Sequence, residues 1–226
     1  MPDLLGMNEP LVIGIDEVGR GCVLGPLVVA AVANPRGWHD KDVKDSKAYS
    51  SEKKRKAVSD RIRDSVTWHM ASVPADHIDK HGITPCLNRA MILSAGKVRE
   101  RIRTMVPGAT FKVIMDGSLI HQVVAELSAH DTSFDAFPKA DAKVFEVSAA
   151  SVLAKVYRDS WITALLQEFP EMAGYDLASN KGYGTDLHTR NLFLRGLTKF
   201  HRATFCESLL QNYRTKKAAA SAGGNS

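Results

Sequence analysis

Two apolar runs near the N-terminus, Leu11 to Ile15 and Val23 to Val32, constrain the fold more than anything else in the chain. Both read as short strands, and the glycine-rich turn between them predicts an antiparallel hairpin within a covered sheet. The first run delivers two adjacent carboxylates, Asp16 and Glu17, into the turn Gly19-Arg20-Gly21. Carboxylates at the end of an apolar strand are costly to desolvate, and a divalent metal is the usual compensation. An arginine between two glycines suits a place where backbone and guanidinium both approach a phosphate or sugar closely. A charged, solvated turn after an ordinary strand accounts for the same residues.

The rest of the chain reads as an α/β order. Ser50 or Ser51 is placed to cap a basic helix over Glu52 to Arg63, and Val66 to Val73 reads as a strand. Leu87, Ala90, Met91, Ser94, Ala95 and Val98 fall at helical spacing within a long helix from Pro85 to Arg103. Phe111 to Met115 forms a short strand ending at Asp116-Gly117; Leu119 to Ser128 reads as helix and Phe134 to Phe137 as an edge element. An alanine-rich helix follows from Glu146 to Glu168, broken by Pro170, and shorter helices are expected at Asp186 to Leu194 and near Phe205 to Tyr213. These readings divide the chain into an α/β core over 1–170, a helical C-terminal extension over 171–215 and a disordered tail over 216–226.

Charge and cysteine usage narrow the class. Between Lys181 and Lys217 eight Lys and Arg residues face two acids, Asp186 and Glu207, while the remainder is close to neutral. Such a basic C-terminal third suits a polyanion, nucleic acid first, although a solvated surface fits equally well. Cys22, Cys86 and Cys206 are isolated, which argues against a disulfide framework or zinc site and suits a reducing cytoplasm. No run is long and apolar enough to span a bilayer, and Met1-Pro2-Asp3 does not open a signal peptide. The absence of a nucleotide-binding glycine loop of the usual spacing disfavours a metabolic α/β enzyme.

Asp116 repeats the grammar of Asp16: apolar strand, acid, glycine. If the two strands are neighbours, their acids lie within metal-bridging reach, strands being about 4.8 Å apart. Asp16 and Glu17 share a site only if their strand ends or kinks, because successive side chains point to opposite faces. A turn cap is the alternative for Asp116, and helix capping is the alternative for Asp141. Ser148, Ser151, Lys155 and Asp159 share one polar face of the alanine-rich helix. Small hydroxyls there suggest close approach to another surface, which tight packing on a sheet would also demand.

The ordered set GIDEVGRG, DSK, IMDG, KADAKVFEVSAASVLAKVYRD and KGYGT resembles type 2 ribonuclease H, the ribonuclease HII family, from about Val12 to Phe205. The short motifs are weak singly and specific together. The resemblance implies a ribonuclease-H-like fold, with a mixed five-stranded sheet flanked by helices and a helical C-terminal extension. It implies an endonuclease acting on the RNA of RNA–DNA hybrids and beside ribonucleotides embedded in duplex DNA, with roles in ribonucleotide repair and primer removal. The family's four acids map onto Asp16, Glu17, Asp116 and Asp141, its sugar-sensing turn onto Gly19, Arg20 and Gly21, and its stacking tyrosine onto Tyr183. Lys47, Lys155 and the basic C-terminal region match phosphate-contacting surfaces, and Ser148 joins the substrate-binding set.

Phosphodiester hydrolysis needs an activated water, in-line attack and neutralisation of the leaving oxygen; two Mg²⁺ or Mn²⁺ ions about 3.5–4 Å apart supply all three. Reading the 2′-OH requires unobstructed backbone, a role for both glycines of the turn, while a tyrosine on the following sugar favours deoxyribose. Cys22 stands where the family commonly has proline and Ala140 where it commonly has glycine. The arginine-bearing turn and the short lead before the first strand favour type 2 over type 3 enzymes, which carry an N-terminal substrate-binding domain. A monomer is expected, and the tail carries no clear glutamine-plus-aromatic clamp-binding motif. Phosphate contacts are expected from Lys199, Arg202 and Arg214.

Overall fold

The computed structural model describes residues 9–44, 46 and 49–222. β1 (Leu11–Val18) and β2 (Leu27–Ala33) pair antiparallel, from Ile13 opposite Ala33 to Val18 opposite Val28. The hairpin follows from the two apolar runs, but its limits shift. β1 runs on through both carboxylates, whereas β2 begins at Leu27 rather than Val23. Gly25 sits at φ 82° and Pro26 has no N–H to donate, so the chain leaves the ladder there. The amides of Val23 and Leu24 bond instead to the carbonyl of Gly182, far along the chain.

β3 (Thr67–Val73) pairs antiparallel with β2. β4 (Phe111–Asp116) pairs parallel with β1, and β5 (Thr132–Phe137) pairs parallel with β4 at the edge. The result is the expected mixed five-stranded sheet, in the order β3-β2-β1-β4-β5. Side-chain alternation assigns the two faces. Ile13, Ile15, Val29, Val113 and Met115 pack on the side of α3 (Ile83–Met105). Val28, Ala30 and Val32 pack on the side of α1 (Glu52–Ser65) and α5 (Phe145–Glu168). Ser51 caps α1, its hydroxyl accepting from the Lys54 N–H.

α5 lies very close to β1: a Cβ on Gly14 would come within 2.3 Å of the Val147 nitrogen. That contact explains the small residues of the helix, which is buried on most sides rather than exposing a polar face. A short helix absent from the sequence reading, α2 (Ala75–His81), precedes α3, and α4 (His121–Leu127) links β4 to β5.

The C-terminal region comprises a 3₁₀ turn (Pro170–Tyr175), α6 (Leu177–Asn180), α7 (Asp186–Arg195) and α8 (Ala203–Ala222). Its Leu177, Leu192 and Cys206 share an apolar cluster with Val23, Leu24 and the α5 residues Ile162 and Leu165. α8 continues past Tyr213 to Ala222, so residues 216–222, expected as disordered tail, are helical; 223–226 lie outside the described residues.

Candidate active site

Ile15 opposite Met115 is the last paired position of β1 and β4. Asp16 and Asp116 therefore follow side by side at the C-terminal ends of adjacent parallel strands, where open α/β sheets form ligand crevices. β1 neither ends nor kinks at Asp16. By alternation Asp16 takes the α5 side and Glu17 the α3 side, beyond the point where β4 has stopped. The three carboxylates still act on one another. Burial pushes Asp16 up to about 7, Glu17 and Asp116 adding repulsion against a hydrogen bond from Ser151. Glu17 is also raised, chiefly by burial, with Asp116 adding and Arg20 opposing. Arg20 reaches Glu17 at only 3.7 Å and keeps 60% of its side chain exposed, so it offsets the Glu17 charge only in part.

Asp141 sits in a buried 3₁₀ turn, Ala140–Ala142, latched on two sides. The Ala140 N–H donates to Asp116 Oδ1 at 2.8 Å, and the Ser148 hydroxyl donates to the Asp141 carbonyl. Asp116 thus bonds across to this turn rather than capping its own. Val144, not Asp141, is the N-cap of α5, and no side chain caps it. Ser148, expected to face substrate, is buried and turned toward the Asp141 loop.

Hard carboxylate oxygens brought together near the C-terminal ends of two adjacent strands are the donor set that Mg²⁺ or Mn²⁺ prefers. Among the described residues, however, no three His, Cys, Asp or Glu side chains are already closed on a shared metal position. The donors fit in kind and charge, and holding an ion would draw them inward.

The two glycines of the turn differ physically. Gly19 sits at φ 83°, and a Cβ there would fall 2.4 Å from Arg158 Nε; the fold itself demands this glycine. A Cβ on Gly21 would meet nothing within 4 Å, leaving that backbone open to a ligand. Tyr183 stands nearby, 42% exposed, sharing a side-chain hydrogen bond with Cys22 and lying under the Arg158 guanidinium at 5.8 Å.

Two fully buried arginines hold this corner. Arg158 donates to the carbonyls of Leu24, Pro26 and Lys181, joining the start of β2 to the loop before Tyr183. Arg202 donates to the carbonyls of Gly25 and Arg20, tying the C-terminal region to the turn. Arg202 therefore cannot serve as the expected phosphate contact without abandoning its own bonds. Burial holds it down, to about 10. Neither arginine's role was read from the sequence. A signal existed for Arg158, which sits a helical turn from both Ala154 and Ile162 in a buried stripe.

Lys155 is half-buried and paired with Asp159 at 2.8 Å, which also binds Arg55 at 2.9 Å. Arg55 and Ser151 bond Ser46, bringing that residue against α1 and α5; Lys47 lies outside the described residues. Lys199 and Arg214 are exposed on the C-terminal region.

The family model described as Ribonuclease HII matches residues 13–208. A Ribonuclease HII of Synechocystis is 37% identical, covering 88% of this chain and 98% of the relative. The ribonuclease H2 of Pyrococcus horikoshii superposes with a TM-score of 0.65 at 25% identity, over 90% of this chain and 99% of that one. The Archaeoglobus fulgidus RNase HII, solved in complex with PCNA, gives 0.66 at 27%, over 85% and 94%.

Proposed function

The chain belongs to the ribonuclease HII family, the type 2 ribonuclease H hydrolases, and on that premise we propose an endonuclease that cuts the RNA strand of RNA–DNA hybrids. It also cuts 5′ of single ribonucleotides embedded in duplex DNA, leaving 5′-phosphate and 3′-hydroxyl ends, and so serves ribonucleotide excision repair and primer removal. One observation carries the reading: Asp16 and Asp116 lie side by side just past the last paired position of two adjacent parallel strands, and Asp16 is buried against two further carboxylates that it repels.

Asp16, Glu17, Asp116 and Asp141 would hold two divalent ions, Mg²⁺ or Mn²⁺. The chemistry such ions supply when bound is activation of water and neutralisation of charge on the leaving oxygen. The chain's own residues do the rest. Ser151 steadies the ionised form of Asp16, and the Ala140 amide orients Asp116. Ser148 sets the Asp141 turn, a positioning role in place of direct substrate contact.

The Gly19-Arg20-Gly21 backbone reads the 2′-OH, and the open space over Gly21 supports that approach. Tyr183 packs on the next deoxyribose, and its exposed ring beside Cys22 suits the task. Lys47, Lys155 and the basic surface of residues 171–215 contact phosphates. We read the protein as acting as a monomer, and three free buried cysteines suit a reducing cytoplasm. No helix among the described residues is long and apolar enough to cross a membrane.

Incubation with an RNA–DNA hybrid and Mg²⁺ or Mn²⁺ should release 5′-phosphorylated fragments. Asp116→Asn should lower the rate by roughly a hundredfold or more, since it removes a donor for charge in the transition state. An undiminished Asp116→Asn protein would take these acids out of the chemistry.

A further inference from the structure

His188 and His201 lie outside every role described above, yet both are buried and their Nε2 atoms are 3.2 Å apart. The surrounding bonds fix which ring donates. The Thr198 backbone N–H points at His201 Nδ1 at 3.0 Å, and an N–H can only donate. His201 Nδ1 is therefore an acceptor, which puts that ring's proton on Nε2. That proton can go only to His188 Nε2, which leaves His188 Nδ1–H to donate to the Tyr183 carbonyl at 2.9 Å. Burial lowers both rings, His201 to about 4 with His188 as the next cause, so neither carries a second proton near neutrality. Facing the pair are Tyr175, whose ring lies 4.8 Å from His201, and Asp176, which acts on His188 through its charge. Arg202, next in the chain, is turned away to Gly25 and Arg20.

We infer that Thr198, His201 and His188 form a one-directional hydrogen-bond relay that fixes the main chain of Tyr183, making both histidines positioning residues for recognition of the sugar beyond the cut. This rests on the reading of Tyr183 as the residue that packs on that sugar. The relay ends at the right place for the task. The Tyr183 carbonyl also accepts from Thr185 N–H at 2.9 Å, and the Tyr183 N–H donates to Asn180 at 3.0 Å. With its backbone pinned on both sides, the ring is held between Cys22 and Arg158 at the mouth of the turn. The other end of the relay begins one residue before Lys199, whose ammonium lies over the rings of Phe169 and Phe200. An exposed basic loop and the sugar-packing ring are thus joined by three bonds through the interior.

Steady-state cleavage of duplex DNA containing one ribonucleotide tests the relay in a double-mutant cycle. His201→Leu should raise KM roughly tenfold with kcat little changed, as expected when an interaction that aligns bound substrate is lost. His201→Gln, whose amide still donates, should recover most of that loss, and it carries the test should the leucine variant fail to fold. In a Tyr183→Ala background the His201 substitutions should have no further effect. If Tyr183→Ala weakens binding but the His201 effect adds to it in full, the relay is wrong and the Tyr183 reading stands. If Tyr183→Ala itself leaves KM unchanged, the Tyr183 reading fails first.

Discussion

At the scale of single residues, two glycines that look alike in sequence carry different burdens. Gly19→Ala must accept a positive φ and a 2.4 Å approach to Arg158, so the fold should lose about 2–3 kcal/mol, measurable by denaturant unfolding. Gly21→Ala has open space and should leave stability within about 0.5 kcal/mol, while cleavage falls because the new methyl blocks the sugar. Equal destabilisation by both would undo the distinction. Asp16 gives a prediction with a definite sign. Its carboxyl is raised from 3.8 to about 7, so the folded metal-free protein holds a proton there that the unfolded chain has lost. This contribution is complete at low pH and disappears as pH climbs from about 4 through 7, making the metal-free protein less stable on the alkaline side. Asp16→Asn should flatten that decline and raise the melting temperature at pH 8; a melting temperature that drops instead would mean the carboxylate is not under strain. Asp16, Glu17 and Asp116 stood out in the sequence because they close apolar runs, whereas Asp141 was assigned to the site only through the family resemblance. Arg158 and Arg202 were not legible, since all but one of the main-chain carbonyls they bond lie more than a hundred residues away in sequence.

At the scale of elements, local pattern located most strands and helices, and long-range contacts set their limits. β2 starts late because Gly25 and Pro26 hand the preceding amides to the loop at Gly182, which no local window reveals. α2 is short and mostly polar, so periodicity does not announce it; its value is tertiary. The carboxylate of Asp79 accepts from the backbone N–H groups of Ala203 and Thr204 at 2.7 and 3.0 Å, capping the first turn of α8 from another element. Asp79→Ala should cost about 1–2 kcal/mol, the usual worth of an N-cap, and increase amide exchange at the start of α8. Unchanged exchange there would show that α8 holds without the cap.

At the scale of the whole molecule, the sequence separated a catalytic core from a basic C-terminal region, and the structure knits the two through one corner. The polar face of α5, read as approaching another surface or packing tightly, is engaged by the Asp141 turn, Ser46 and Arg55, which a helical wheel cannot distinguish from an exposed face. Charge that remains exposed, at Lys199 and Arg214, is free to meet phosphates. Replacing both with Gln should reduce the salt dependence of substrate binding by about one to two charges' worth, read as the slope of log affinity against log salt. An unchanged slope would remove them from the interface. The proposed function gives the two halves of the opening turn different tasks, the acids holding metal and the backbone admitting only a ribose. Duplex DNA bearing one ribonucleotide, incubated with Mg²⁺ or Mn²⁺ and mapped at nucleotide resolution, tests both at once. A single cut 5′ of the ribonucleotide is expected, absent with chelator and absent in Asp16→Asn; an intact duplex with both metals, or a cut that persists without metal, would contradict the proposed function.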